Sequence, residues 1–226
     1  MAWPLLAATI NSLFGFILAW ILVRYDFPGR RLADGVIDLP FAMPSVVAGI
    51  GLMSLYSPVG AFGRWLRPDT PLGEVLAQLG VENVNLTSSV FGILLANLFV
   101  TLPFVVRSVQ PAILAIEADV IEAAQTLGSL RWQTFRRIIL PPLLPAVTTG
   151  FTLAFARCVG EYGVVTLISG NIPFRTMISS VYIFRRLEAF DLSGATAVGL
   201  LLLVFALVII AAVNTVQWWS QRKQAV

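Results

Sequence analysis

The chain has 226 residues, 58% of them hydrophobic and only 12% charged, with a net charge of +3 and a mean hydropathy of +0.85. Soluble domains carry about 25% charged residues, so the bilayer is the expected solvent. The absence of His excludes HExxH zinc sites and Ser-His-Asp triads, the single Cys158 excludes an intrachain disulfide or CxxC site, and the single Lys223, followed by Gln224, leaves no Gly-Lys-Ser/Thr phosphate loop.

Five apolar stretches are long enough to cross a membrane: Leu5–Val23, Leu39–Ser57, Ser88–Val106, Leu143–Ile168 and Leu192–Val216. Nineteen helical residues rise roughly 28 Å, close to the ~30 Å hydrocarbon core. The expected fold is therefore an all-α polytopic bundle, one membrane domain over residues 1–226. The second stretch contains Pro40 and Pro44 and carries the weakest span signal. The first lacks a basic n-region and is followed by arginines, so it does not read as a signal peptide.

Between the spans, Pro58–Thr87 reads as a loop with a short helix at Leu72–Leu79, and Met177–Phe190 as an amphipathic interfacial run. Arg24, Arg30, Arg31, Arg107, Arg131, Arg136, Arg137, Arg222 and Lys223 fall on one side. Arg64, Arg67, Arg175, Arg185 and Arg186 fall on the other. The positive-inside rule puts the first set in the cytoplasm, the N-terminus outside and the C-terminus inside. Basic residues placed in short loops between apolar runs point to topology and not to nucleic acid.

The segment Glu117–Pro141 carries most of the functional signal. Val120, Ala123, Ala124 and Leu127 share one helical face, with Asp119, Glu122, Gln125 and Thr126 opposite. Asp119 is placed to N-cap this helix, with Glu122 three residues on as in a capping box. Gly128 is placed to end it in a left-handed turn. Ser129 is placed to cap a second helix on which Trp132, Phe135 and Ile139 align, and Pro141-Pro142 to stop it. An exposed apolar face rimmed by charge suits a docking partner, but amphipathicity alone favours two helices lying on the inner leaflet.

Glu122-Ala123-Ala124, Gly128, Ile138 and Leu140-Pro141 resemble the EAA signature of bacterial ABC importer permeases, each at the family spacing. The resemblance implies that Glu122, Ala123, Ala124, Gly128, Ile138, Leu140 and Pro141 belong to coupling helices that dock an ATPase, with Glu122 either a cap or a contact. Asp38-Leu39-Pro40-Phe41-Ala42-Met43-Pro44, Arg107-Ser108-Val109-Gln110-Pro111, Gly160-Glu161-Tyr162-Gly163 and Gly170-Asn171-Ile172-Pro173 resemble the T-type permease of the sulfate/thiosulfate family. Molybdate/tungstate permeases share the Gly-Glu-Tyr/Phe-Gly and Gly-Asn segments and are the alternative. The family has six spans and this chain starts near its second, so a first helix is expected to be missing.

Arg157 and Glu161 stand four apart in the fourth stretch. Each charge costs about 2.5–3.5 kcal/mol at the bilayer centre, and pairing offsets part of it. Arg157 is a candidate pathway cation held by Glu161; a helix-locking pair is the alternative. Cys158 reads as a small core residue. The resemblance implies a non-catalytic inner-membrane subunit without metal or cofactor. Its implied partners are two ATPase subunits, a homologous second permease and a periplasmic sulfate-binding protein. An intramembrane enzyme would need more clustered polar groups than this pair, and a scaffold would not need the spaced signature.

Overall fold

The computed structural model describes residues 2–67, 69–78 and 86–224, and among them every regular element is helical. Helices run in the order α1 (Ala2–Arg24), α2 (Arg30–Ile37), α3 (Leu39–Ala42), α4 (Ser45–Tyr56) and α5 (Pro71–Gln78). There follow α6 (Val90–Leu114), α7 (Ala118–Thr126), α8 (Arg131–Thr134), α9 (Leu140–Val159), α10 (Gly163–Ile168), α11 (Ser179–Glu188) and α12 (Leu192–Gln224). Among the described residues, four helices are long and apolar enough to cross a membrane: Trp3–Arg24, Val90–Leu114, Arg131–Val159 and Leu192–Val213.

α6 is the central rod. Its second half contributes Val105, Val106, Val109 and Ile113 to a core shared with Ala8, Ala19 and Leu22 of α1 and Leu143, Ala154 and Phe155 of α9. Its first half packs Ile93, Ala96 and Val100 against Ala48 and Leu52 of α4 and Val164, Val165 and Ile168 of α10. Glycine brings the three long helices together at Val105: a Cβ at Gly15 of α1 would come within 2.8 Å of the Val105 side chain, and one at Gly150 of α9 within 2.9 Å of its Cα. Small residues permit this approach where no hydrophobic effect presses helices together. α12 packs on α9 and α11 and leaves Leu200, Leu201, Leu203, Val204, Leu207 and Val208 exposed, as a lipid-facing helix requires.

Three expected boundaries are corrected. The stretch Leu39–Ser57 is not one helix. Pro44 drives Met43 into the extended region (φ −105, ψ 137), which separates α3 from α4. The twelve residues of α4 rise only ~18 Å. The stretch Leu143–Ile168 is also divided, because α9 ends at Val159 and α10 starts at Gly163. α10 lies against α4 so closely that a Cβ at Gly163 would meet Ser45 Oγ at 2.4 Å.

Third, Pro141 and Pro142 do not stop a helix. α8 runs through a π-helical turn, Phe135–Ile139, directly into α9. The Leu140 N–H donates to the Phe135 carbonyl, five residues back. Proline removes the N–H and crowds the carbonyl four residues before it, and the wider turn relieves that crowding. The short helix expected at Leu72–Leu79 is observed as Pro71–Gln78, and Leu79 lies outside the described residues.

Candidate functional site: the Glu117–Pro141 loop and the charges of the bundle

α7 starts two residues earlier than expected. Glu117, extended at φ −65 and ψ 138, is its N-cap and gives no side-chain cap. Asp119 therefore sits in the first turn, where a carboxylate complements the positive end of the helix but closes no capping box. Ala124 and Ile121 turn inward, while Glu122 and Ala123 are exposed.

The exit from α7 is a complete Schellman motif. Gly128 sits at φ +80, its N–H donates to the Gln125 carbonyl at 2.9 Å, and the Ser129 N–H donates to the Ala124 carbonyl at 3.0 Å. A Cβ at Gly128 would meet nothing within 4 Å, so conformation and not space selects glycine here.

Ser129 does not cap α8. Leu130 is the N-cap, with its N–H bound by Gln133 Oε1 at 3.3 Å, and Ser129 Oγ accepts from Thr134 Oγ1 at 3.0 Å. Phe135 anchors the loop. Its ring packs edge-on against Phe16 and Trp20 of α1, each centroid 6.3 Å away, and stacks on Trp132 at 5.7 Å. Ile139 is buried, and Ile138, Leu140 and Pro141 are half-buried. Leu127 (89% exposed), Leu130 (67%) and Trp132 (67%) project outward, rimmed by exposed Arg131, Arg136 and Arg137.

Arg157 and Glu161 do form an ion pair, but not within one helix, because Glu161 lies past the end of α9. Glu161 is 1% exposed. One carboxylate oxygen pairs with Arg157, and the other accepts the Val164 N–H at 3.0 Å at the start of α10. The Glu161 carbonyl accepts from Ser180 Oγ at 2.7 Å. Glu161 thus ties α9, α10 and α11 together. The Arg157 side chain is 35% exposed, on a stripe of α9 that also carries Thr149, Leu153, Ala156 and Gly160.

Residues 11–225 match the family described as "Binding-protein-dependent transport system inner membrane component". The chain belongs to this permease family of ABC importers. It is 48% identical to the sulfate transport system permease protein CysT of Synechococcus elongatus over 96% of this chain and 74% of that one. It is 46% identical to a probable sulfate transport permease cysT of Nephroselmis olivacea, over 94% and 70%. A crystal structure of a bacterial ABC transporter that imports alginate shares the fold at TM-score 0.68 and 22% identity, covering 96% of this chain and 77% of that one. The chain is thus a multi-pass inner-membrane permease subunit of an ABC importer.

The permease also contains an ion cluster that was not singled out from its sequence. Arg107 of α6 donates from Nε to Asp38 Oδ1 at 2.8 Å and from Nη2 to Asp38 Oδ2, a bidentate pair. Nη1 reaches Asp34 Oδ1 at 2.8 Å and Gln110 Oε1 at 2.6 Å, and Gln110 Nε2 donates to Asp34 Oδ1 at 3.1 Å. Burial pushes the Asp34 carboxyl up, but the hydrogen bonds from Arg107 and Gln110 and the guanidinium charge outweigh it and hold it below its ordinary value. The cluster fastens α2 and the start of α3 to the loop end of α6. The i, i+3 spacing of Arg107 and Gln110 on one helix face was its local signal.

Cys158 is buried, as its small size suggested, and its thiol lies 3.7 Å from Thr101 Oγ1. Thr101 also accepts from Asn11 Nδ2 at 2.8 Å, a polar link between α1 and α6.

Proposed function

We propose that this permease is the membrane subunit of an ATP-driven importer of sulfate and thiosulfate. The supporting observation is the Glu117–Pro141 loop: a Schellman turn presents Leu127, Leu130 and Trp132 to a partner while Phe135 clamps the same segment to α1. Glu122, Ala123, Ala124, Gly128, Ile138, Leu140 and Pro141 belong to that docking segment. The partners are two ATPase subunits, a homologous second permease and a periplasmic sulfate-binding protein. The family description, a binding-protein-dependent system, supports the last. Sulfate and thiosulfate come from the relatives named as sulfate transport permeases.

ATP is handled by the partner, and the anion crosses without chemical change. The docking turn of α8 and Arg157 lie on one continuous helical rod, Arg131–Val159, about 44 Å long. A displacement of Trp132 by a closing ATPase therefore moves Arg157 through backbone hydrogen bonds. Arg157, a partly exposed cation on a stripe that also carries Thr149, Leu153 and Ala156, lines the anion's path, with Glu161 positioning it. The loop faces the cytoplasm and the N-terminus faces outward, as the distribution of basic residues indicates.

The test is uptake of labelled sulfate by the reconstituted complex, with molybdate as competitor. ATP-dependent sulfate uptake that excess molybdate leaves intact is the expected result. Molybdate uptake without sulfate uptake would sink this reading.

A further inference from the structure

At the end of the bundle away from the α7–α8 loop lies a cavity of about 250 Å³, walled by the starts of α1, α6 and α11, the end of α9, and α12. Water occupies ~30 Å³ per molecule in the liquid, so a small ion with part of its hydration fits. Asn97 of α6 lines this cavity at 2% exposure, and its side-chain oxygen has no hydrogen-bond partner. A buried polar group left unmade costs about 1–3 kcal/mol, and a ligand can recover it. A carboxamide exchanges its oxygen and its N–H₂ by a half-turn, so Asn97 can offer donors to the space.

The donors converge from two further directions. Ile178, Ser179 and Ser180 line the same cavity and open the ten-residue helix α11. Ile178 gives no side-chain cap, and the first intrahelical bond runs from the Tyr182 N–H to the Ile178 carbonyl at 3.0 Å. The N–H groups of Ser179, Ser180 and Val181 are therefore left over at the positive end of the helix. Arg175 stands at the wall of the cavity, exposed, with no ion pair among the described residues. The nearby Glu161 carboxylate is already held by Arg157 and the Val164 N–H.

Uncapped helix N–H groups, a cation and a buried carboxamide are the recognition chemistry of an oxyanion. We infer that this cavity is a binding site within the permease for a small oxyanion of the sulfate class, held by Arg175, Asn97 and the N-terminus of α11. The inference deepens the importer reading and rests on it for the identity of the anion.

The test is equilibrium binding of radiolabelled sulfate to the assembled complex in nanodiscs, without the periplasmic protein. Saturable binding is expected. Arg175→Gln and Asn97→Asp should each weaken it by roughly tenfold or more, the loss of a hydrogen bond to a charged group, with an unchanged unfolding temperature. Absent binding, or wild-type affinity in both variants, would overturn the site. If Asn97→Asp does not fold, Arg175→Gln decides alone, because that residue is on the surface. A complex that imports sulfate yet does not bind it here keeps the importer reading and loses this site. One that binds sulfate here yet never imports it keeps the site and loses the importer reading.

Discussion

Arg107 grips Asp38 through two nitrogens, although 69 residues separate them in the chain. Bidentate geometry gives such a pair more than an ordinary surface ion pair, but both groups are partly exposed and solvent screens them. Arg107→Lys keeps the charge and loses the fork. Thermal unfolding of the detergent-solubilised permease should show a double-mutant coupling of about 1 kcal/mol between Arg107→Lys and Asp38→Asn. Additive single effects would show the pair contributes nothing.

Asp34 adds a pH dependence. Its carboxyl is held below the ordinary value of about 3.9. A depressed folded pKa stabilises the fold above the unfolded value, and that contribution disappears as pH falls through the folded one. The unfolding temperature should therefore fall more steeply below about pH 4 in the wild type than in Asp34→Asn. Equal slopes would rule Asp34 out as a contributor.

Gly128 occupies a left-handed position. Gly128→Ala should cost about 1–2 kcal/mol through strain at positive φ, and Gly128→Asn less. Co-purification of the ATPase should fall in the same order. Full ATPase recovery with Gly128→Ala would mean the turn is not needed for docking.

Trp132 and Phe135 stack on each other but should answer differently. Trp132→Ala removes a largely exposed ring, so the unfolding temperature should hold while ATPase affinity drops by roughly tenfold or more, as for an interface hot spot. Phe135→Ala opens a cavity against Phe16 and Trp20 and should destabilise the permease itself by about 3 kcal/mol. Equal behaviour of the two variants would contradict this division.

Arg157 and Glu161 separate structure from transport. Arg157→Gln leaves Glu161 buried without its cation, a loss of about 3 kcal/mol. Adding Glu161→Gln should restore much of the stability. If Arg157 lines the path, the double variant should still fail in sulfate uptake. Normal uptake at restored stability would make the pair purely structural.

The local features were legible in the sequence. The Gly128 turn depends on one residue's conformational freedom and on bonds no more than five residues long. The long apolar helices follow from the need to satisfy every backbone group within lipid. The exposed apolar patch of the loop was legible in part, since Leu127 at the end of α7 and Trp132 in α8 both reach the surface.

The features that were not legible depend on how the backbone settles within the packed bundle. The residue pattern points to Asp119 as the cap of α7, but Glu117 adopts the extended conformation two residues earlier and the helix begins from there. The proline pair looked like a stop, yet a π turn accommodates it within a packed rod. The apolar run to Ile168 looked continuous, yet Gly163 lies against Ser45 and α10 packs on α4.

Composition, hydropathy and motif spacing were enough to determine a polytopic α-helical permease with a glycine-turned helical loop between two spans, because membrane insertion and short-range turns are set by neighbouring residues. Only the tertiary structure decided where the spans break, that Arg107 clasps Asp34 and Asp38, that Glu161 joins three helices, and that Asn97 lines a cavity without a partner. Those relationships depend on residues far apart in the chain meeting in a bundle, and a linear pattern does not encode which distant side chains will come within hydrogen-bonding distance.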